Sequence, residues 1–134
     1  MHTTVAHLSV QTGMIELRNV ITNVMEKIQS NNISFELDPG SFYLIMEEAL
    51  INAMHHGNRW NSGKTVNVSL QVDYSALYVI IADEGEGFSQ LALTDGTESQ
   101  GREGIRIIRR FCNPYWNDKG NTIYLKLPLS EERV

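Results

Sequence analysis

Hydrophobic residues recur along the chain with two different periods, which predict strands and helices. Every second residue is apolar over 66–72 and over the second half of 3–11, as in half-buried strands. Apolar residues recur instead at steps of three and four over 13–30, which predicts an amphipathic helix. Residues 76–82 are apolar throughout, as in a central strand that is covered on both faces.

Turn and cap residues set the limits of a second helix. Asp38 and Pro39 form a helix-start signal, because Asp caps free backbone N–H groups and Pro fits the first helical turn. The helix that follows is expected to reach about His56 and to end at a C-terminal cap pair, Gly57-Asn58.

The remaining segments complete one domain, residues 1–134. Residues 84–103 contain glycines and show little periodicity, which predicts a long loop, with a mobile lid over 88–103. A short helix is expected from about Gly104 to Phe111, and residues 115–117 and 122–128 are expected to pair as a hairpin. The order β-α-α-β-β-α-β-β predicts an α+β fold with two layers: an antiparallel or mixed sheet with its helices on one face.

Composition narrows the function classes. The chain has 134 residues, of which 42% are hydrophobic and 20% charged, as in an ordinary globular protein. A formal net charge of −5 argues against general binding to nucleic acid or to an anionic membrane. The single cysteine, the N-terminus unlike a secretory signal and the absence of a long apolar run together predict a cytoplasmic protein.

The predicted second helix carries a polar flank beside its apolar face. At 100° per residue, Glu48, Asn52, His55 and His56 fall within about 100° of arc. One interpretation is a solvated flank, which is the usual place for such residues. The other is a functional site, because Glu48 and Asn52 are four residues apart and point the same way. A metal site on the histidine pair is less well supported, since adjacent helical side chains diverge too far to chelate one ion.

Two glycine-bearing segments are candidate partners for this flank. Asp83 ends the apolar strand and is followed by Gly85 and Gly87, so this segment is either an ordinary turn or a ligand-binding turn. In the second case the carboxylate accepts a hydrogen bond from an amino group, and the glycines let the backbone approach a flat ring and a phosphate chain. Residues 101–110 lead from a glycine turn into a helix, whose first N–H groups either form an ordinary cap or bind phosphate.

Together the three segments resemble the nucleotide-binding boxes of the gyrase, heat-shock-chaperone, histidine-kinase and mismatch-repair (GHKL) ATPases, which share the Bergerat fold. Within this superfamily the chain is similar to the serine-kinase anti-sigma factors, the switch kinases of bacterial stress response and sporulation. The matching stretches are EALINAMHHG at 48–57, DEGEGF at 83–88, GREGIRII at 101–108 and KGNTIYL at 119–125.

The resemblance implies a role for each matched residue. Asn52 is expected to hold Mg²⁺ through its amide oxygen, and Glu48 to act as the base toward a serine hydroxyl or water. Asp83 is expected to bind the adenine amino group, with a bridging water held by Asn121 or Thr122. The other residues that the resemblance assigns to the nucleotide are His56, Gly57, Gly85, Gly87, Gly101, Arg102, Gly104 and Ile105.

The same resemblance implies an ATP-dependent protein serine kinase. Such a protein uses MgATP to phosphorylate an anti-anti-sigma partner with a STAS domain, and it sequesters a sigma factor. Arg18 matches an arginine that meets protein partners in this family, and a solvated charge is the equal alternative. The resemblance is also compatible with a homodimer. The competing hypothesis is an interaction switch that keeps the fold and binds ATP or ADP but transfers no phosphate.

Overall fold

The structure, a computed structural model, describes residues 2–87 and 102–130, and within them five strands and three helices follow the predicted order. Most of the predicted loop and lid, residues 88–101, lies outside the described residues. The elements are β1 (Thr3–Gln11), α1 (Met14–Ser30), α2 (Pro39–Ile51), β2 (Thr65–Val72), β3 (Ala76–Ala82), α3 (Arg102–Phe111), β4 (Asn113–Trp116) and β5 (Thr122–Pro128).

The strands form one sheet in the order β1-β2-β3-β5-β4, and every neighbouring pair is antiparallel. Of the two predicted sheet types, the antiparallel one is therefore confirmed. The register places Ile81 of β3 between Val68 of β2 and Ile123 of β5, and all three side chains are buried under the helices. Ile80 is partly exposed on the opposite face, so β3 is central but not covered completely on both faces as the sequence suggested.

The helices pack on the inner face of this sheet, and α2 contacts both α1 and α3. The start of α2 follows the predicted chemistry: the Asp38 carboxylate accepts a hydrogen bond of 3.0 Å from the Ser41 N–H, and Pro39 is the first helical residue. A hydrogen bond with the Ser41 side chain and, to a smaller extent, this backbone bond lower the pKa of Asp38. Among the described residues, none of the helices combines the length and the apolar character needed to cross a membrane.

The end of α2 differs from the prediction. The α-helix ends at Ile51 and continues as a π-helical segment, Asn52–Gly57. In this wider turn the Asn58 N–H donates to the Ala53 carbonyl, five residues back, at 2.9 Å. Gly57 does not have the positive φ that is typical of a glycine cap. Positive φ values occur instead at Gly87 and Gly120.

Candidate functional site

A recess opens between α2, α3 and the inner face of the sheet, at the end of β3. Most of its wall is apolar, while Asn52, Asp83 and Asn121 supply polar groups. The chemistry of this lining, apolar with a few hydrogen-bonding groups, suits a flat apolar ring that carries hydrogen-bonding groups at its edge. The lining residues are Ala49, Asn52, Ala53, Ile81, Asp83, Ile105, Trp116, Gly120, Asn121 and Ile123.

Asp83 follows β3 directly and is held there by backbone contacts. Its N–H donates to the Asn121 carbonyl at 2.9 Å, and its carboxylate accepts a hydrogen bond of 2.7 Å from the Gly85 N–H. Burial raises the pKa of Asp83 to about 6, against the opposing effects of the Gly85 N–H and of the charges on Lys64 and Lys119. The carboxylate is therefore ionised at neutral pH and is a charged hydrogen-bond acceptor in the recess.

Three of the predicted nucleotide-binding glycines bring backbone segments into close contact. A Cβ atom on Gly57 would collide with the Asp83 carboxyl group, and one on Gly85 would collide with the backbone of Gly57. Gly87 has a φ of 85°, and a Cβ atom there would collide with the carbonyl of Lys119. These glycines therefore let the Asp83 turn pack between the π-helical segment and the β4–β5 connection.

Asn58, which the sequence predicted only as part of a helix cap, holds the same turn from the other side. It is fully buried, and its amide group donates to Thr12 Oγ1 and to the Thr65 carbonyl, both at 3.0 Å. Its Oδ1 accepts a hydrogen bond of 2.8 Å from the N–H of Glu84, the residue after Asp83. The Asn58 side chain thus joins the ends of β1 and β3 and the start of β2.

Glu48 and Asn52 lie one turn apart on α2 and its extension, as the sequence predicted. Asn52 lines the recess, and Glu48 is half-buried beside the first turn of α3. A Cβ atom on Gly104 would lie only 2.5 Å from Glu48 Oε1, so the absence of a side chain at Gly104 makes room for this carboxylate. Burial and, to a smaller extent, the charge of Glu47 raise the pKa of Glu48.

His56 and Thr122 are among the predicted residues that do not line the recess. His56 is exposed in the π-helical segment, whose wider turn rotates it away from the direction that an α-helix predicts, and it borders a separate shallow pocket. Thr122 donates its hydroxyl to Asn121 Oδ1 at 3.3 Å, and of these two candidates only Asn121 lines the recess. The nucleotide-binding roles of His56 and Thr122 stay predictions.

The third predicted box is described in part. Gly104 is buried and Ile105 lines the recess, whereas Gly101 and the side chain of Arg102 lie outside the described residues. Arg18 is exposed on α1, which suits either of its two interpretations.

Trp116, which ends β4 and lines the recess, is not among the site residues predicted from the sequence. The predicted hairpin already contained it, but a hairpin alone does not show which face an aromatic side chain occupies. The signal is the register, because Trp116 pairs with Ile123, whose side chain is buried on the inner face.

Comparison with models of protein families finds a match for this chain. The profile of the histidine kinase-like ATPase domain matches residues 11–127, and comparison with curated proteins finds no match. The family match implies binding of ATP or ADP. It extends from the last residue of β1 into β5 and so includes every residue that borders the recess. With the two-layer fold and antiparallel sheet described above, the chain belongs to the family of histidine kinase-like ATPase domains.

Proposed function

We propose that the protein is a cytoplasmic, ATP-dependent protein serine kinase of the anti-sigma type. It transfers the γ-phosphoryl group of ATP to a serine of an anti-anti-sigma protein with a STAS domain, and it binds a sigma factor. The observation that carries this proposal is the placement of Glu48: a carboxylate with a raised pKa lies one turn from Asn52, which lines the recess. A domain that only binds nucleotide has no need of a base there.

The recess binds the adenine base in this proposal. The ionised Asp83 carboxylate accepts a hydrogen bond from the adenine amino group, and hydrogen bonds to charged groups are stronger than neutral ones. The aliphatic side chains of Ile81, Ile105 and Ile123 supply apolar contacts for the ring.

Asn52 fits the coordination of a magnesium ion that is held mainly by the nucleotide. Mg²⁺ in such sites keeps several waters and takes one or two protein oxygens together with substrate phosphates. The Asn52 amide oxygen is a ligand of this kind at the border of the recess. Within residues 2–87 and 102–130 no group of three or more His, Cys, Asp or Glu side chains could hold a metal ion by itself. When bound, Mg²⁺ neutralises charge on the phosphates.

Glu48 acts as the general base in this proposal. It accepts the proton of the serine hydroxyl while the serine oxygen bonds to the γ-phosphorus, and the bond from that phosphorus to the β–γ bridging oxygen breaks to release ADP. Burial favours this role, because a carboxylate with a raised pKa is a stronger proton acceptor.

The partner proteins bind near α1 in this proposal. Arg18 projects from the exposed side of that helix, where its guanidinium is accessible to a carboxylate of a partner. An Arg18→Ala variant should therefore bind the sigma factor more weakly without a change in nucleotide affinity.

The experiment that tests the function measures γ-phosphate transfer to STAS proteins encoded near the gene, beside MgATP affinity. Asn52→Ala should lower both, because it removes the metal ligand. Glu48→Gln should preserve MgATP binding and slow transfer by roughly 10²–10⁴-fold. Glu47→Gln is the matched control on the same helix: it removes only the smaller of the two causes that raise the pKa of Glu48, so its transfer rate should stay within a few-fold of the wild-type rate.

Two outcomes would contradict the proposal. A wild-type protein that binds MgATP but phosphorylates none of these STAS proteins would favour the interaction switch over the kinase. Transfer at the wild-type rate by Glu48→Gln would show that Glu48 is not the base.

A further inference from the structure

Trp116 has no part in the chemistry proposed above, although it borders the recess. It is the one aromatic side chain among the described residues that line the recess. Its strand position, opposite Ile123 in the register of β4 and β5, places it on the inner face of the sheet. The indole is therefore part of the wall that a bound base would contact.

The orientation of the indole is supported by a residue of α3. The guanidinium carbon of Arg109 lies over the Trp116 ring, 5.8 Å from the ring centroid, in the geometry of a cation–π contact. Strand pairing holds the Trp116 backbone, and Arg109 contacts its ring. The aromatic wall is thus in position before any ligand binds, which limits the ordering that binding requires.

We propose that Trp116 selects a purine base by contact between its indole and the base. This inference rests on the proposed nucleotide binding and assigns a different role to each of two residues that contact the base. Asp83 binds the amino group at the edge of the base, whereas Trp116 distinguishes two-ring bases from one-ring bases. A purine offers the larger aromatic surface, and contact between a base and an aromatic side chain changes affinity by roughly 5- to 150-fold.

The first test uses the fluorescence of Trp116. The chain contains two tryptophans, Trp60 and Trp116, and Trp60 lies in the shallow pocket with His55 and His56, outside the recess. In a Trp60→Phe variant, Trp116 is the sole indole, and titration with MgADP should change its emission. In the matched Trp116→Phe variant, which keeps Trp60, the same titration should leave the emission unchanged.

The second test compares the affinities of MgADP and MgCDP by calorimetry. Trp116→Leu should weaken MgADP binding by about tenfold and MgCDP binding much less, so that the preference for the purine nucleotide shrinks. Trp116→Phe should stay within a few-fold of the wild type for both, because a phenyl ring still presents an aromatic face. A purely structural role of Trp116 would weaken both nucleotides alike in the Leu variant.

The outcomes separate this inference from the proposed function. If MgADP binds to Trp60→Phe by calorimetry but the Trp116 emission does not change, or if Trp116→Leu keeps the wild-type purine preference, the role of Trp116 is refuted and nucleotide binding stands. If the wild type binds no MgADP by calorimetry, the proposed function fails and the role of Trp116 fails with it.

Discussion

Replacing Asn58 by alanine should destabilise the protein and disturb the turn that carries Asp83. The Asn58 side chain is fully buried and makes three hydrogen bonds, to Thr12, to Thr65 and from Glu84. Alanine removes all three and leaves the Glu84 N–H without this acceptor. Because that N–H belongs to the residue after Asp83, the change reaches the recess through the backbone.

The expected magnitude follows from the number of bonds. Each hydrogen bond contributes about 0.5–1.5 kcal/mol net, so three of them give a loss of about 3 kcal/mol in the free energy of unfolding of Asn58→Ala. For a domain of this size that loss lowers Tm by about 10 °C. The m-value should stay unchanged, since the surface exposed on unfolding is nearly the same.

Urea denaturation and thermal unfolding measure this loss, and calorimetry with MgADP measures its effect on the recess. The matched control is Asn23→Ala on the exposed side of α1, where alanine is the better helix former and should leave stability the same or slightly higher. A loss below about 1 kcal/mol for Asn58→Ala would refute the reasoning, because it would mean that water replaces all three bonds. A full loss of stability with unchanged MgADP affinity would refute the link from Asn58 to Asp83.

Three further predictions concern the recess and its border. Because the pKa of Asp83 is about 6, MgADP affinity should fall as the pH is lowered through 6, and more steeply than in Asp83→Asn, in which phosphate protonation alone remains. The stability of the nucleotide-free protein depends on pH in the opposite direction. The free energy of unfolding gained from protonating Asp83 is fully present below pH 3.8 and is lost as the pH rises through 6. Denaturation of Asp83→Asn at different pH values should lack this loss. Gly104→Ala should displace the Glu48 carboxylate, so phosphoryl transfer should fall while urea denaturation shows unchanged or slightly higher stability; an unchanged transfer rate would contradict this.

The order of the elements could be predicted because most of the sheet has one buried face. The alternation of apolar residues in β2 reflects this buried face, and the apolar steps of three and four in α1 reflect the face of that helix that packs on the sheet. The structure gives both elements within one residue of the predicted limits. The limits of α3 and β4 each differ by one or two residues, since short elements carry too few periods to define their ends.

The path of the chain after Asn52 could not be predicted, because distant residues determine it. A periodic pattern cannot show a change from α to π hydrogen bonding, and both helix types suit the apolar positions Ala53 and Met54. The contacts that hold the wider turn come from elsewhere: Met54 Sδ accepts a hydrogen bond from the Gly13 N–H at 3.4 Å, and Asn58 joins Thr12 to Glu84. The histidine pair consequently faces a different pocket from Asn52.

The glycines show why matched motif residues alone are weak evidence for a function. Gly57 and Gly85 are explained by packing, since a side chain on either would collide with the neighbouring segment. The same close packing, however, places the Asp83 carboxylate at the recess. Burial raises its pKa to about 6, which is still below neutral pH, so the carboxylate is ionised there. A turn needs no carboxylate in an apolar recess, and burying one disfavours its charged form. Nucleotide binding is therefore supported by the side chains that line the recess, Asp83 and Asn52, and the glycines are the condition that lets Asp83 reach it.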